Sequence, residues 1–188
     1  MTGDVTATRA QAPGAVDDIW LRPFVREVHD FPHEGVTFRD ITPLLGDAAA
    51  FRRAVDELAG RFSDVQVDRV VGVEARGFIL AAPVAYSLGA GFVPVRKPGK
   101  LPWAVVREEY QLEYGADKLE IHRDAIHPDE RILVIDDILA TGGTATATAR
   151  LVEALGGTLV GVGVLMEITA LGGRAALDGR RFEALASY

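Results

Sequence analysis

The sequence predicts an α/β fold, a mainly parallel twisted sheet flanked by helices, with a small N-terminal hood and a long flexible loop. Three observations predict it. Arg69–Val73 (RVVGV), Phe92–Val95, Arg131–Ile135 (RILVI) and Thr158–Met166 are short, nearly continuous apolar runs of buried-strand type. Helical patterns separate them. The residues with the most reactive side chains cluster after the strands, at Glu74–Gly77, Arg96–Lys100 and Asp136–Thr144. Ligands of open α/β sheets bind at those carboxyl ends.

In chain order, residues 1–15 (MTGDVTATRAQAPGA) are small, polar and aperiodic, and read as a frayed tail before a single domain over 16–188. Val16, Trp20, Phe24 and Val28 recur every fourth residue and predict an amphipathic helix, which Pro23 would kink or split. HDFPHEGVTFRDITPLL is rich in turn formers and reads as an irregular segment with apolar anchors; hood elements are expected over about 16–46 and 165–175. Asp47 can cap a helix whose apolar face is Phe51, Ala54, Val55, Leu58 and Phe62. The RVVGV strand precedes a helix over Gly77–Leu88. Pro98–Lys118 shows no sustained period and reads as a long loop, with Leu119–Ile121 a short strand after it. RILVI is the clearest strand, Gly143–Leu155 the next helix, and Thr158–Met166 a strand that Gly161 and Gly163 should weaken.

A chain of 188 residues is large enough to bury most of its apolar surface in one domain. With no cysteine there is no disulfide framework, thiolate metal site or Cys nucleophile. The apolar runs are too short to span a membrane, and Met1–Val16 lacks the apolar core of a signal peptide, so a cytoplasmic protein is expected. A net charge of −7 argues against broad nucleic-acid binding. A small anion is still permitted where cations gather, as they do in RKPGK (Arg96–Lys100), although on composition alone that run reads as a solvated loop.

VIDDILATGGT carries the chemistry. Asp136 and Asp137 end an apolar run, and Ala140-Thr141-Gly142-Gly143-Thr144 leads into a helix. Backbone N–H groups of a Gly-rich turn at a helix start cradle anions. Two carboxylates beside such a cradle would repel a bare phosphate. A sugar phosphate resolves the conflict: the helix start holds the phosphate while the acids accept hydrogen bonds from ribose hydroxyls. No Lys follows Gly143, which excludes a P-loop, and neither Gly89-Ala90-Gly91 nor Gly161-Val162-Gly163 extends to a dinucleotide fingerprint. The plainer alternative is that the acids cap the helix and the glycines make an ordinary turn.

VIDDILATGGT resembles the phosphoribosyl-pyrophosphate (PRPP) signature of type I phosphoribosyltransferases. GVTFRDITPLL, GVEARGF, RKPGKLP and EYQLEYG resemble, in order and spacing, segments of the adenine phosphoribosyltransferase family, from about Asp30 to the C-terminus. The resemblance implies the type I phosphoribosyltransferase fold and transfer of a 5-phosphoribosyl group from PRPP to N9 of adenine, giving AMP and pyrophosphate with Mg²⁺. It places Asp136 and Asp137 at the ribose and Ala140, Thr141, Gly142, Gly143 and Thr144 around the 5′-phosphate. Arg76, Arg96, Lys97 and Lys100 fall at the pyrophosphate, and the Glu74–Ala75 peptide is often cis in the family. Phe31, Thr37, Phe38, Arg39 and Ile168 match adenine-side positions, where the family usually has a β-branched aliphatic residue in place of Thr37. No protein ligand of Mg²⁺ is implied; the metal is expected through PRPP and water.

Within the loop, Glu113 matches a carboxylate proposed as general acid/base, with Glu108 and Glu109 as competitors, and Tyr110 and Tyr114 would pack the closed loop. A loop of this length over a reactive sugar reads as a lid that excludes water. A homodimer is expected, with no membrane or nucleic-acid partner. Two alternatives stay open: transfer to another purine base, and a PRPP-sensing regulator that binds nucleic acid.

Overall fold

A computed structural model describes residues 19–112 and 115–188, so the tail, Val16, Glu113 and Tyr114 lie outside the described residues. The helix expected over Val16–Val28 is not formed in its described part. Arg22–Phe24 is a single 3-10 turn, and Val25 is already extended. Arg26–His29 (β1) then pairs antiparallel with Thr37–Asp40 (β2). Pro23 fits a tight turn and lacks the N–H a longer helix would use. The buried residues here are Leu21 and Val25, one position along from the predicted stripe, while Trp20 and Phe24 are only partly buried against the core. The segment read as irregular thus contains β2 and a short helix, Thr42–Gly46 (α1). Asp40 starts that helix by accepting hydrogen bonds from Thr42 N at 2.9 Å and Thr42 Oγ1 at 2.8 Å.

Ala48–Gly60 (α2) follows, and Asp47 caps it through hydrogen bonds from Ala49 N and Ala50 N, as its position predicts. Ala54, Val55 and Leu58 are buried on its inner face, and Phe62, just beyond its end, is fully buried. The central layer comprises Arg69–Val73 (β3), Gly91–Val95 (β4), Arg131–Leu139 (β7), Thr158–Glu167 (β8) and Phe182–Ser187 (β9), separated by Arg76–Leu88 (α3) and Gly143–Ala154 (α4). The strand order is β4-β3-β7-β8-β9, parallel throughout. β9 had no counterpart in the sequence reading. One apolar layer, with α2 and α3, covers one sheet face; α4, Leu119 and Ile121 cover the other. A short helix, Gly173–Ala176 (α5), lies between β8 and β9.

Three expectations change. Pro98–Lys118 is not an irregular loop, because Val105–Leu112 (β5) and Gly115–His122 (β6) form an antiparallel ribbon that absorbs the short strand at Leu119–Ile121. Dense charges obscure its alternation, and cross-strand pairing, such as Glu109 opposite Lys118, overrides weak propensity. β7 does not stop at Ile135. β8 carries its pairing as far as Leu139, so Asp136 and Asp137 lie within the strand and point to opposite sides. Finally, Gly161 and Gly163 do not shorten β8. Their missing side chains leave a groove for Phe62, whose ring would stand 2.4 Å from a Cβ on Gly161. Among the described residues no helix is long and apolar enough to cross a membrane.

Candidate active site

A cleft of about 540 Å³ opens at the carboxyl ends of β3 and β7. Its walls are Glu74–Arg76 after β3, Asp136–Leu139 in β7, and Ala140–Ala145 leading into α4. Lys97 closes one side, and Tyr110, Asp117 and Leu119 reach in from the ribbon. Gly142 adopts φ +84° as the residue before α4, which a glycine tolerates without steric penalty. Arg76 is the first residue of α3 rather than a loop residue, and the Glu74–Ala75 peptide before it is cis.

Every cation predicted for this region meets a carboxylate. Arg76 Nε lies 2.6 Å from Asp137 Oδ2. Arg96 Nε and Lys100 Nζ donate to the two oxygens of Glu74 at 2.8 and 2.9 Å, and Lys97 Nζ donates to Asp117 Oδ2 at 2.7 Å. Burial pushes the Glu74 carboxyl up, but the hydrogen bonds from Lys100 and Arg96 outweigh it and leave the group below its ordinary range. The Lys97 hydrogen bond likewise lowers Asp117, and Asp117 raises Lys97. The paired acids behave differently. Burial, then the charge of Asp137, raises Asp136 well above 3.8. Asp137 is raised by burial against the opposing charge of Arg76. Each of the two neighbouring carboxyls therefore holds its proton more tightly than an isolated one.

The adenine-side candidates sit beside the cleft rather than in its walls. Phe31 and Phe38 meet edge-to-face with centroids 5.2 Å apart, and the Arg76 guanidinium lies 4.9 Å from the Phe38 ring centre. That contact joins the hood to the cleft. Ile168 is joined by its backbone, whose N–H donates to Leu139 O at 2.9 Å. Thr37 Oγ1 is 3.3 Å from His29 Nδ1, and Arg39 pairs with Glu27 and stacks 4.4 Å over Tyr188, so neither is drawn into the cleft wall. Arg96 and Lys100 reach it only through Glu74. Glu113 lies outside the described residues. Its competitors are both engaged, Glu108 with Arg150 and Glu109 with Lys118.

Sequence reasoning missed Glu74 and Asp117 as partners of the basic loop. Glu74 was visible as the acid directly after RVVGV. Asp117 carried no spacing signal, because only the ribbon register sets it opposite Tyr110 and near Lys97. No group of three or more His, Asp or Glu side chains among the described residues could hold a metal ion.

The sequence profile of the Phosphoribosyl transferase domain matches residues 45–177. An adenine phosphoribosyltransferase of Alkaliphilus metalliredigens is 53% identical over 164 residues, covering 87% of this chain and 96% of that protein. The chain belongs to the adenine phosphoribosyltransferase family. A Thermotoga neapolitana member is 54% identical over 168 residues, covering 89% of this chain and 99% of its own. Among solved structures, the adenine phosphoribosyltransferase of Thermoanaerobacter pseudethanolicus superposes with a TM-score of 0.89 at 48% identity, covering 91% of this chain and 99% of that one. The Saccharomyces cerevisiae adenine phosphoribosyltransferase, solved with a dideoxy-imino-altritol bisphosphate and adenine, gives 0.84 at 37% identity over 89% of this chain and 97% of that one. As an adenine phosphoribosyltransferase, the chain places the family's acidic pair and Gly-rich turn in one cleft.

Proposed function

We propose that the protein transfers the 5-phosphoribosyl group of PRPP to N9 of adenine, giving AMP and pyrophosphate, with Asp136 and Asp137 holding the ribose. The observation that carries this reading is the cleft itself, where two buried-edge carboxylates adjoin a Gly-rich helix start and Arg76. The C1′–O bond to pyrophosphate breaks as the N9–C1′ bond forms, and the sugar gains positive charge in the transition state. Two carboxylates at the ribose favour that charge, and their raised proton affinity falls as the cation develops. Backbone N–H groups of Ala140–Thr144 hold the 5′-phosphate, while Arg76, Arg96, Lys97 and Lys100 receive the departing pyrophosphate. Phe31, Thr37, Phe38, Arg39 and Ile168 flank the base.

The proton on N9 leaves to a carboxylate, which we assign to Glu113; the ion pairs made by Glu108 and Glu109 support that choice. Mg²⁺ bound with PRPP would supply charge neutralisation for the pyrophosphate oxygens, since a hard cation favours phosphate oxygens and water as ligands. A homodimer is supported by an open apolar face on α3 and the edge strand β4. Ile79 and Tyr86 are 42% and 90% exposed two helical turns apart on α3, and Phe92 on β4 is 38% exposed.

The test is release of pyrophosphate from PRPP and Mg²⁺ with adenine, hypoxanthine, guanine or orotate supplied separately. Release with adenine is expected. Silence with every base would sink the enzymatic reading, and activity confined to hypoxanthine or guanine would replace adenine. Glu113→Gln should lose turnover and keep the KM for PRPP; an unchanged rate would hand the proton to another acid.

A further inference from the structure

The last glycine pair of the chain, Gly172–Gly173 in MEITALGGR, has no part in the chemistry of the cleft walls. Gly173 opens α5 and carries the backbone directly beneath Ala140–Thr144. A Cβ on Gly173 would stand 2.2 Å from the carbonyl oxygen of Ala140 and 3.0 Å from the nitrogen of Gly142. A Cβ on Gly142 would stand 2.6 Å from the carbonyl oxygen of Gly173 and 2.9 Å from the Cβ of Ala176. Each glycine admits the other's backbone, and no flexible side chain lies between them to give way. Gly173 has no positive φ, so contact alone demands glycine there.

Two polar contacts fix the crossing. Thr146 Oγ1, in the first turn of α4, donates to the carbonyl of Ala176 at 3.0 Å. Arg174 donates to both oxygens of Glu167, at 2.7 and 3.2 Å, and stacks 4.7 Å from the centre of the Phe182 ring. Glu167 is buried at the end of β8, so this bidentate pair ties the turn to the sheet. The turn is bonded to the sheet on one side and pressed against the Gly-rich loop on the other.

We infer that Gly173 and the Glu167–Arg174 pair are positioning elements for the loop Ala140–Thr144, fixing from below the N–H groups that receive a sugar 5′-phosphate. An anion cradle is effective when its donors are already aligned, and a loop of small residues has many conformations unless something removes them. The inference rests on the reading of Ala140–Thr144 as the 5′-phosphate cradle. It adds a separable consequence. Disturbing Gly173 weakens ligands that carry the 5′-phosphate and spares pyrophosphate, whose cations stand on the β3 and β4 side of the cleft.

The experiment compares wild type, Gly173→Ala, Arg174→Ala and Arg174→Lys by calorimetric titration with ribose 5-phosphate and, separately, with pyrophosphate and Mg²⁺. For Gly173→Ala, affinity for ribose 5-phosphate should fall about tenfold or more, that for pyrophosphate should stay within about twofold, and the KM for PRPP should rise. Arg174→Ala should show the same split at smaller size, with Arg174→Lys partly restoring it. Equal losses for both ligands, or no loss of ribose 5-phosphate affinity, would overturn the inference. Should Gly173→Ala fail to fold, Arg174→Ala decides by the same split, since that side chain is 61% exposed and its removal loosens the turn without overfilling the backbone crossing. A wild type that binds pyrophosphate but not ribose 5-phosphate would overturn the cradle reading and this inference together, an outcome distinct from unchanged binding in the variants.

Discussion

Arg76 Nε stands 2.6 Å from Asp137 Oδ2, yet that oxygen is buried with no aligned hydrogen-bond donor. The Arg76 charge is the main force opposing the burial of Asp137. An acceptor in this state is free to take a hydroxyl hydrogen without first surrendering one from protein. Asp136 is better satisfied, since its Oδ1 accepts from Asp137 N at 2.9 Å.

Asp136→Asn should therefore stabilise the empty protein while impairing it as an enzyme. Asn retains the oxygen that accepts from Asp137 N and removes one of two neighbouring charges. Because the Asp136 carboxyl is raised above 3.8 by burial and by Asp137, its contribution to stability is full below that value and is lost as pH rises through its folded-state pKa. An ionised carboxyl at this position works against folding, so the variant should have the higher Tm. Calorimetric scans from pH 4 to 8 check this, with a flatter profile expected for Asp136→Asn. The KM for PRPP should rise at the same time.

Asp117→Asn should lower the KM for PRPP by a factor of about two to five, the size of an exposed ion pair. Lys97 is held by Asp117 at 2.7 Å in the empty cleft, and a polyanion must displace that carboxylate to reach it. Initial rates against PRPP concentration measure the effect. A higher KM would mean that Asp117 orients Lys97 rather than competing for it.

How far these contacts could be foreseen depends on their range. The strands RVVGV and RILVI, the Asp47 cap and the helix after the Gly-rich turn rest on local pattern, and each appears where the residues predict. Even the Thr-rich α4 holds, because Ala147, Leu151 and Val152 are buried and Thr146 Oγ1 donates to Ala176 O. The sites of failure are governed by distant partners. β8 lengthens β7 past Ile135, Phe62 fills the space of Gly161, and the register of two charged strands brings Asp117 to Lys97. None of those contacts leaves a mark in a window of a dozen residues. The acidic pair and the Gly-rich turn were legible because adjacent residues make them; Glu74 and Asp117 as counter-ions were not.

Acid stability should depend on Asp68. Its oxygens accept from Arg131 N, Nε and NH2 at 2.8 to 2.9 Å, and the side-chain hydrogen bonds of Arg131 lower the carboxyl from 3.8 to about 2. That contribution is complete above 3.8 and disappears as pH falls toward 2. Asp68→Asn should be less stable than wild type at pH 7, and the gap should close in acid. Urea midpoints at pH 7, 4 and 2.5 make the comparison.

Gly161→Ala should destabilise the fold by about 1–3 kcal/mol, the range for overfilling a packed core. Its methyl group would meet the Phe62 ring at 2.4 Å. Shortening that ring as Phe62→Leu in the same chain should recover part of the loss. A double-mutant cycle from urea melts measures the coupling, and simple additivity would show that strand curvature, not the ring, sets the need for glycine.

The ribbon of β5 and β6 forms a sheet of its own, and among the described residues a bridge between Arg96 and Glu120 is its one strandlike pairing elsewhere. A two-stranded ribbon is marginal alone, whereas β3 and β7 are enclosed on both faces. The molecule therefore keeps two clocks. Amide hydrogens of Val134 and Ile135 should exchange only when the whole domain unfolds, while those along Val105–Tyr110 exchange through a smaller opening nearly insensitive to denaturant. The β5 strand can part from β6 and reseat many times within the life of one folded molecule, while Leu119 and Ile121 stay packed on the sheet that carries Asp136 and Asp137.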